Sequence, residues 1–266
     1  MELELYEYLP GGRRHKRHKA LLAEFRRGLA EAIGTFSIVL ISCLGNASPH
    51  TSELGSALAE GLTIMALVFA IGQVSGAHFN PSTSLAFSLR RVFEWWRLLY
   101  YLPAQFIGAM MAGLLVMGFL GKEGDVGATL PDGVSIEAGL AMEIVFSALM
   151  NFVYLNVAER AKVVGANGAI AVGVIVTALG IVGGPLGGAS MDPFRSLAPA
   201  LLAGGKPLRE VWIFIVGPMV GAVLAALLTF MLGSRVHPYA VLDANGIGRA
   251  GPEDEEEQRI DQASER

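Results

Sequence analysis

Six runs of roughly 20 mostly apolar residues, each long enough to cross a hydrocarbon core of about 30 Å as a helix, decide what this chain can fold into. They fall at about 28–45, 55–74, 98–120, 138–158, 163–182 and 211–233. A bilayer offers no water to unpaired peptide groups, so each run is predicted to satisfy its backbone internally as an α-helix. The hydrophobic share of 53% against 17% charged residues, with a mean hydropathy of +0.50, excludes an ordinary soluble globule. The lipid bilayer is therefore the first predicted partner. The single cysteine, Cys43, has no intrachain disulfide partner, and no Cys/His cluster has zinc spacing. No Ser/His/Asp set or phosphate loop is visible, so neither cofactor nor catalysis is expected. The net charge of −4 combines a basic front with an acidic tail and does not point to nucleic acid.

Charge placement orients the spans. Segment 1–27 carries Arg13, Arg14, Lys16, Arg17, Lys19, Arg26 and Arg27 and has no signal-peptide pattern, so it reads as a basic cytoplasmic tail. With that tail inside, Arg90, Arg91, Arg97, Arg160, Lys162, Arg235, Arg249, Arg259 and Arg266 are also inside. Only Lys122, Arg195, Lys206 and Arg209 lie outside. This bias predicts both termini on the cytoplasmic face, and the cell membrane is the expected location. The tail at 236–266 holds Glu253, Asp254, Glu255, Glu256, Glu257, Asp261 and Glu265 with few apolar side chains, and is read as disordered and acidic. Between the tails, 28–235 forms one membrane domain.

Two moderately apolar segments are too short to span: Ser75–Arg91 (SGAHFNPSTSLAFSLRR) and Gly187–Gly205 (GGASMDPFRSLAPALLAGG). In each, Asn or Asp precedes a proline, and helical spacing follows over Pro81–Arg90 and Pro193–Leu202. A short polar cap followed by proline at the first helical position is a helix start. The Gly/Ala/Ser-rich chain before each start is tolerated at membrane depth only where it is buried in protein or lines an aqueous cavity.

The two segments match at an offset of 112 residues. Gly76, Ala77, Pro81, Ser84, Leu85, Ala86 and Leu89 fall on Gly188, Ala189, Pro193, Ser196, Leu197, Ala198 and Leu201, and Glu31 falls on Glu143. Further on, Gln105-x-x-Gly108-Ala109 falls near Pro218-x-x-Gly221-Ala222. The chain thus holds two copies of one unit, about 28–120 and 138–233. Three spans per copy is an odd number, so the second copy enters the bilayer from the opposite side as an inverted repeat. The short helices then meet end to end near the midplane. Gly108-x-x-x-Ala112 and Gly217-x-x-x-Gly221 read as sites of close helix approach.

Six spans, an inverted repeat, SGAHFNP, GGASMDPFRS and the paired Glu31 and Glu143 together resemble the aquaporin and glycerol-facilitator superfamily over about Arg26–Leu232. The implied fold class is all-α integral membrane, with six transmembrane helices plus two re-entrant half-helices. The implied function is a passive channel for water or small uncharged solutes, assembled as a homotetramer with one pore per subunit. By the same resemblance, Asn80, Pro81 and Ser82 with Asp192, Pro193 and Phe194 form the pore midplane. Glu31 and Glu143 orient loops whose carbonyls, at Gly76, Ala77, His78, Gly188, Ala189 and Ser190, face the lumen. Glu60, Gly180, Ala189 and Arg195 form the outer selectivity filter.

Three departures from the family pattern matter. Asp192 stands where a second asparagine is usual, and an ionised Asp accepts hydrogen bonds but cannot donate them. Either it only caps its half-helix, or it weakens the positive midplane barrier so that protons or cations leak. Glu60 stands where an aromatic or small residue is usual. Arg195 is its expected partner, either in a gate or pH-sensitive filter or in a static arrangement. Gly180 and Ala189 lack the histidine or aromatic bulk of narrower filters, so the mouth is expected to be wide and to admit glycerol, urea or neutral metalloid hydroxides. A third functional class, a non-conducting structural membrane protein, rests on the bulk of Phe194 beside the midplane.

Overall fold

The computed structural model describes residues 12–159 and 167–233. Part of the basic tail (1–11), the connection with Arg160 and Lys162, and the acidic segment 236–266 lie outside the described residues. The helices are α1 Gly12–Ala47, α2 Glu53–Ser75, α3 Pro81–Leu89, α4 Leu98–Leu120, α5 Ile136–Glu159, α6 Asn167–Gly187, α7 Pro193–Ala203, α8 Gly205–Glu210 and α9 Ile213–Met231. Six stretches among them are long and apolar enough to span a membrane: Leu21–Ala47, Glu53–Ser75, Trp95–Leu120, Ile136–Ala158, Asn167–Gly187 and Gly205–Met231.

Local sequence explains the element ends. Ser52 caps α2 by accepting from the Gly55 amide at 3.1 Å, and Glu53 stands in its first turn. Gly76, with φ of 89°, ends α2 through its amide bond to the Gly72 carbonyl. Helices α3 and α7 start as predicted, each with its proline at the first position behind an Asn80 or Asp192 cap. Their 9 and 11 residues give lengths of roughly 13 and 16 Å, about half a hydrocarbon core.

Two spans differ from the sequence expectation. Helix α1 starts at Gly12, so the second half of the basic segment continues the first span as helix. The fifth span runs past 182 to Gly187, through Gly183, Gly184 and Pro185. Those breakers end helices in water, where loose peptide groups are solvated. In an apolar surround, continuing the helix is the cheaper way to pair them.

The repeats lock reciprocally. Helix α1 packs on α4 and α2 in the first copy, and α5 packs on α9 and α6 in the second. Each half-helix leans on the last span of the other copy, α3 on α9 and α7 on α4. Helices α2 and α6 join the halves. The predicted small-residue approaches are real: a Cβ on Gly221 would stand 2.6 Å from the Ile144 carbonyl oxygen, and one on Gly108 would overlap the carbonyl of Ala32. A further pair, Gly61 on α2 and Gly173 on α6, lies at the repeat offset and meets face to face. A Cβ on either would come within 2.6 Å of the other's carbonyl oxygen.

Around this frame, large apolar side chains such as Phe69, Met111, Phe119, Val174 and Leu227 are exposed, as a lipid-facing surface requires. Trp95, Trp96 and Tyr100 mark one end of α4, and Trp212 precedes α9, in positions suited to membrane interfaces.

The Gly61–Gly173 contact makes a direct prediction. Gly173→Val forces overpacking against backbone and lowers stability by about 1–3 kcal/mol, read as a lower thermal midpoint in detergent. Gly118→Ala, where nothing lies within 4 Å of the added carbon, leaves the midpoint in place.

Candidate functional site

The two loops that lead into the half-helices repeat the same unusual backbone. Gly76, Ala77 and Phe79 have φ of 89°, 53° and 51°, and Gly188, Ala189 and Met191, at the repeat offset, have 87°, 39° and 54°. A non-glycine residue in this left-handed region costs on the order of 1–3 kcal/mol, so four of them need external support. Two fully buried carboxylates supply it. Glu31 accepts from the amides of His78 (3.0 Å) and Phe79 (2.6 Å), and its Oε2 also accepts from Gln105 (2.8 Å). Glu143 accepts from the amides of Ser190 (2.6 Å) and Met191 (2.8 Å).

At the midplane the half-helix starts touch. The Asn80 amide nitrogen donates to the Met191 carbonyl at 2.8 Å, while its oxygen caps the Ser82 amide at 2.7 Å. Asp192 Oδ1 accepts from the amides of Phe194 (2.8 Å) and Arg195 (3.2 Å). The reach from position 192 back to the Phe79 carbonyl, which would mirror Asn80, is missing. Thr35 on α1 donates to that carbonyl at 3.0 Å instead. Ser82 donates to the Met191 carbonyl (3.3 Å) and accepts from Asn151 on α5 (3.2 Å). A cavity of about 20 Å³ lies here, room for roughly one water. Its walls include Glu60, His78, Asn80, Ser190 and Asp192 together with Ile38, Ile64, Met150, Tyr154 and Val176.

Glu60 also borders a wider cavity of about 360 Å³, which Gly180, Gly188, Ala189 and Arg195 share. The four filter positions therefore converge on one mouth. Within it, the direct Glu60–Arg195 pair expected from sequence is absent. Ser42 of α1 stands between them: the Arg195 Nε donates to the Ser42 hydroxyl at 2.9 Å, and that hydroxyl donates to Glu60 at 2.6 Å. A second guanidinium nitrogen donates to the Gly127 carbonyl at 3.3 Å. Gly127 ends a left-handed turn that includes Asp125 and Val126, both at positive φ. A Cβ there would overlap the Cys43 backbone, so only glycine brings this carbonyl to Arg195.

Other predicted residues sit elsewhere. The Phe194 ring packs edge-on against Phe106, centroids 5.4 Å apart, in an apolar cluster with Phe36 and Met110. It borders neither cavity, so its bulk does not favour a closed pore. Gly76, Ala77, Pro81, Ser82 and Pro193 also border neither cavity. The residues that sequence reasoning missed, Thr35, Ser42, Ser147 and Asn151, share one signal: they continue the stripes begun by the predicted Glu31 and Glu143. Glu31, Thr35 and Ser42 lie at i, i+4 and i+11 on α1, and Glu143, Ser147 and Asn151 at i, i+4 and i+8 on α5. Each set is a fully buried polar stripe on one face of an apolar helix.

The paired struts predict a specific failure. Glu143→Gln turns an amide toward a backbone N–H and leaves a buried donor unmet, lowering stability by about 1–3 kcal/mol. An unchanged thermal midpoint in detergent contradicts the strut.

Comparison with known proteins places this arrangement. The chain matches the family description "Major intrinsic protein" over residues 18–229. It is 37% identical to aquaporin NIP1-1 of Oryza sativa subsp. japonica over 205 residues, covering 74% of this chain and 71% of that one. It is 34% identical to nodulin-26 of Glycine max, covering 74% of each. The structure superposes on the aquaglyceroporin from Plasmodium falciparum with a TM-score of 0.69, covering 77% of this chain and 95% of that one, at 20% identity. The inverted repeat, the paired half-helices and this similarity across most of its length make the chain a member of the major intrinsic protein family.

Proposed function

We propose that the protein is a passive channel for water and small uncharged polar solutes, with a mouth open enough for glycerol, urea or neutral metalloid hydroxides. The observation that carries this reading is the mouth itself. About 360 Å³ of space is bordered by the small Gly180 and Ala189, the Arg195 guanidinium and the carboxylates of Glu53, Glu60, Asp125 and Asp132. That combination offers both hydrogen-bond donors and acceptors to a neutral solute and puts no bulk in its way. Below it, the narrow cavity at Asn80 and Asp192 makes passage single-file. The Ser42 link between Glu60 and Arg195 favours a static filter over a gate.

The chain is an integral membrane protein, and the Lys/Arg bias supports a topology with both termini cytoplasmic. Location in the cell membrane, a homotetrameric assembly with one pore per subunit, the role of Asn80 as a donor to the permeant, and the assignment of 1–27 and 236–266 as cytoplasmic tails belong to the same proposal.

Stopped-flow light scattering on proteoliposomes tests it. Shrinkage under an impermeant osmolyte and re-swelling in urea and glycerol are expected to exceed protein-free vesicles. Faster shrinkage without re-swelling contradicts the open mouth. Gly180→His places an imidazole in the mouth and is expected to slow glycerol re-swelling by about tenfold or more while slowing water less.

A further inference from the structure

Each positive station along this lumen carries its own carboxylate. At the mouth, Arg195 and Glu60 are joined through the Ser42 hydroxyl, so a guanidinium and a carboxyl group share one hydrogen-bonded link. At the midplane, the starts of α3 and α7 each present the equivalent of roughly half a positive charge. A single carboxylate, Asp192, stands against both. A positive barrier of this kind is what excludes protons and cations from a water-filled pore. Here both of its parts are offset.

The carboxylate is also free to act. Asp192 is only 6% exposed and lines the narrow cavity. Its Oδ1 is held by two backbone amides, whereas Oδ2 makes no hydrogen bond among the described residues. The broken repeat symmetry explains why. Asn80 spends one N–H on the Met191 carbonyl, but the mirror bond from position 192 needs a donor that aspartate lacks, and Thr35 has taken the Phe79 carbonyl. Oδ2 is left as an unmet acceptor at a space of one water that Asn80 also lines, and the second N–H of Asn80 has no partner among the described residues.

We propose that the pore conducts protons along its water file in addition to passing neutral solutes, with Asp192 as the proton-accepting group at the midplane. This rests on the channel reading above. A water in the narrow cavity accepts from the Asn80 amide and donates to Asp192 Oδ2, so it points one way along the file. An excess proton reaching that water passes to Oδ2. One O–H bond forms on the carboxylate as one breaks on the water, and the proton then leaves to the next water with the reverse exchange. Glu60, at the border of the two cavities, is the next acceptor on the way to the mouth. The other titratable groups in this narrow cavity are His78 and Tyr154, while Glu143 sits behind the loop, held by the Ser190 and Met191 amides. Metal cations are excluded by the same geometry. A hydrated ion must shed its shell against Ile38, Ile64, Met150 and Val176, whereas a proton moves by bond exchange.

The test uses the full chain in liposomes loaded with a pH-sensitive dye, with an inside-negative potassium diffusion potential set by valinomycin. Urea flux is measured on the same vesicles by light scattering. Acidification about tenfold or more above protein-free vesicles is expected, and Asp192→Asn is expected to lower the proton-to-urea flux ratio by about tenfold. Glu60→Gln is expected to lower that ratio by a smaller factor. Urea flux well above the blank with proton flux at the blank overturns the proposal and leaves the channel reading standing. Water, urea and proton fluxes all at the blank in folded protein overturn the channel reading and this one with it. An undiminished ratio in Asp192→Asn removes Asp192 from the path. If that variant does not fold, the wild-type proton flux alone decides.

Discussion

A chain that leaves the helix at the centre of a membrane must still pair its peptide groups, and the rest of this structure depends on how that is done. Six residues at positive φ in two loops turn the backbone into the protein's interior. They are tolerable because Glu31 and Glu143 each take two consecutive amides, and Asn80 and Asp192 take the first amides of α3 and α7. The carboxylates are unexposed, so each is anchored by the bonds it accepts and has no water to turn to. Remove one and both the loop geometry and the start of its half-helix lose their support.

The frame obeys the duplication, and the chemistry departs from it. The loop dihedrals, the glutamate struts, the proline starts and the Gly61–Gly173 contact recur at the same offset. Along the lumen the copies diverge. Asn80 is matched by Asp192, Glu60 by Val172, Arg195 by Thr83 and Ser42 by Tyr154. Backbone support has to be symmetrical because both loops face the same physical problem. The lumen has no such obligation, so the residues of the Arg195 mouth have no polar counterparts of the same kind at the repeat offset, and its midplane pairs Asn80 with Asp192.

Most of the frame was legible because its signals are local. A run of apolar residues, an Asx-Pro start and a matched pair of motifs state their structure without reference to distant chain. The far end of α6 is less legible, since Gly183, Gly184 and Pro185 follow the apolar run and the helix nevertheless continues through them to Gly187. Glu60, Gly180, Ala189 and Arg195, picked out through the resemblance, line one cavity.

By itself, the sequence determined the membrane class, the six spans, the two half-helices and the meeting of Asn80 with the start of the second half-helix, because hydropathy, capping and repeat symmetry act within short stretches. Only the tertiary structure decided that Ser42 separates Glu60 from Arg195, that Thr35 replaces a side chain at position 192 in reaching Phe79, and that Phe194 turns toward Phe106 and away from the lumen. Those choices depend on how far each helix is rotated about its axis when six of them pack. A rotation of one residue, about 100°, exchanges the side chain that faces the pore for one that faces a neighbour.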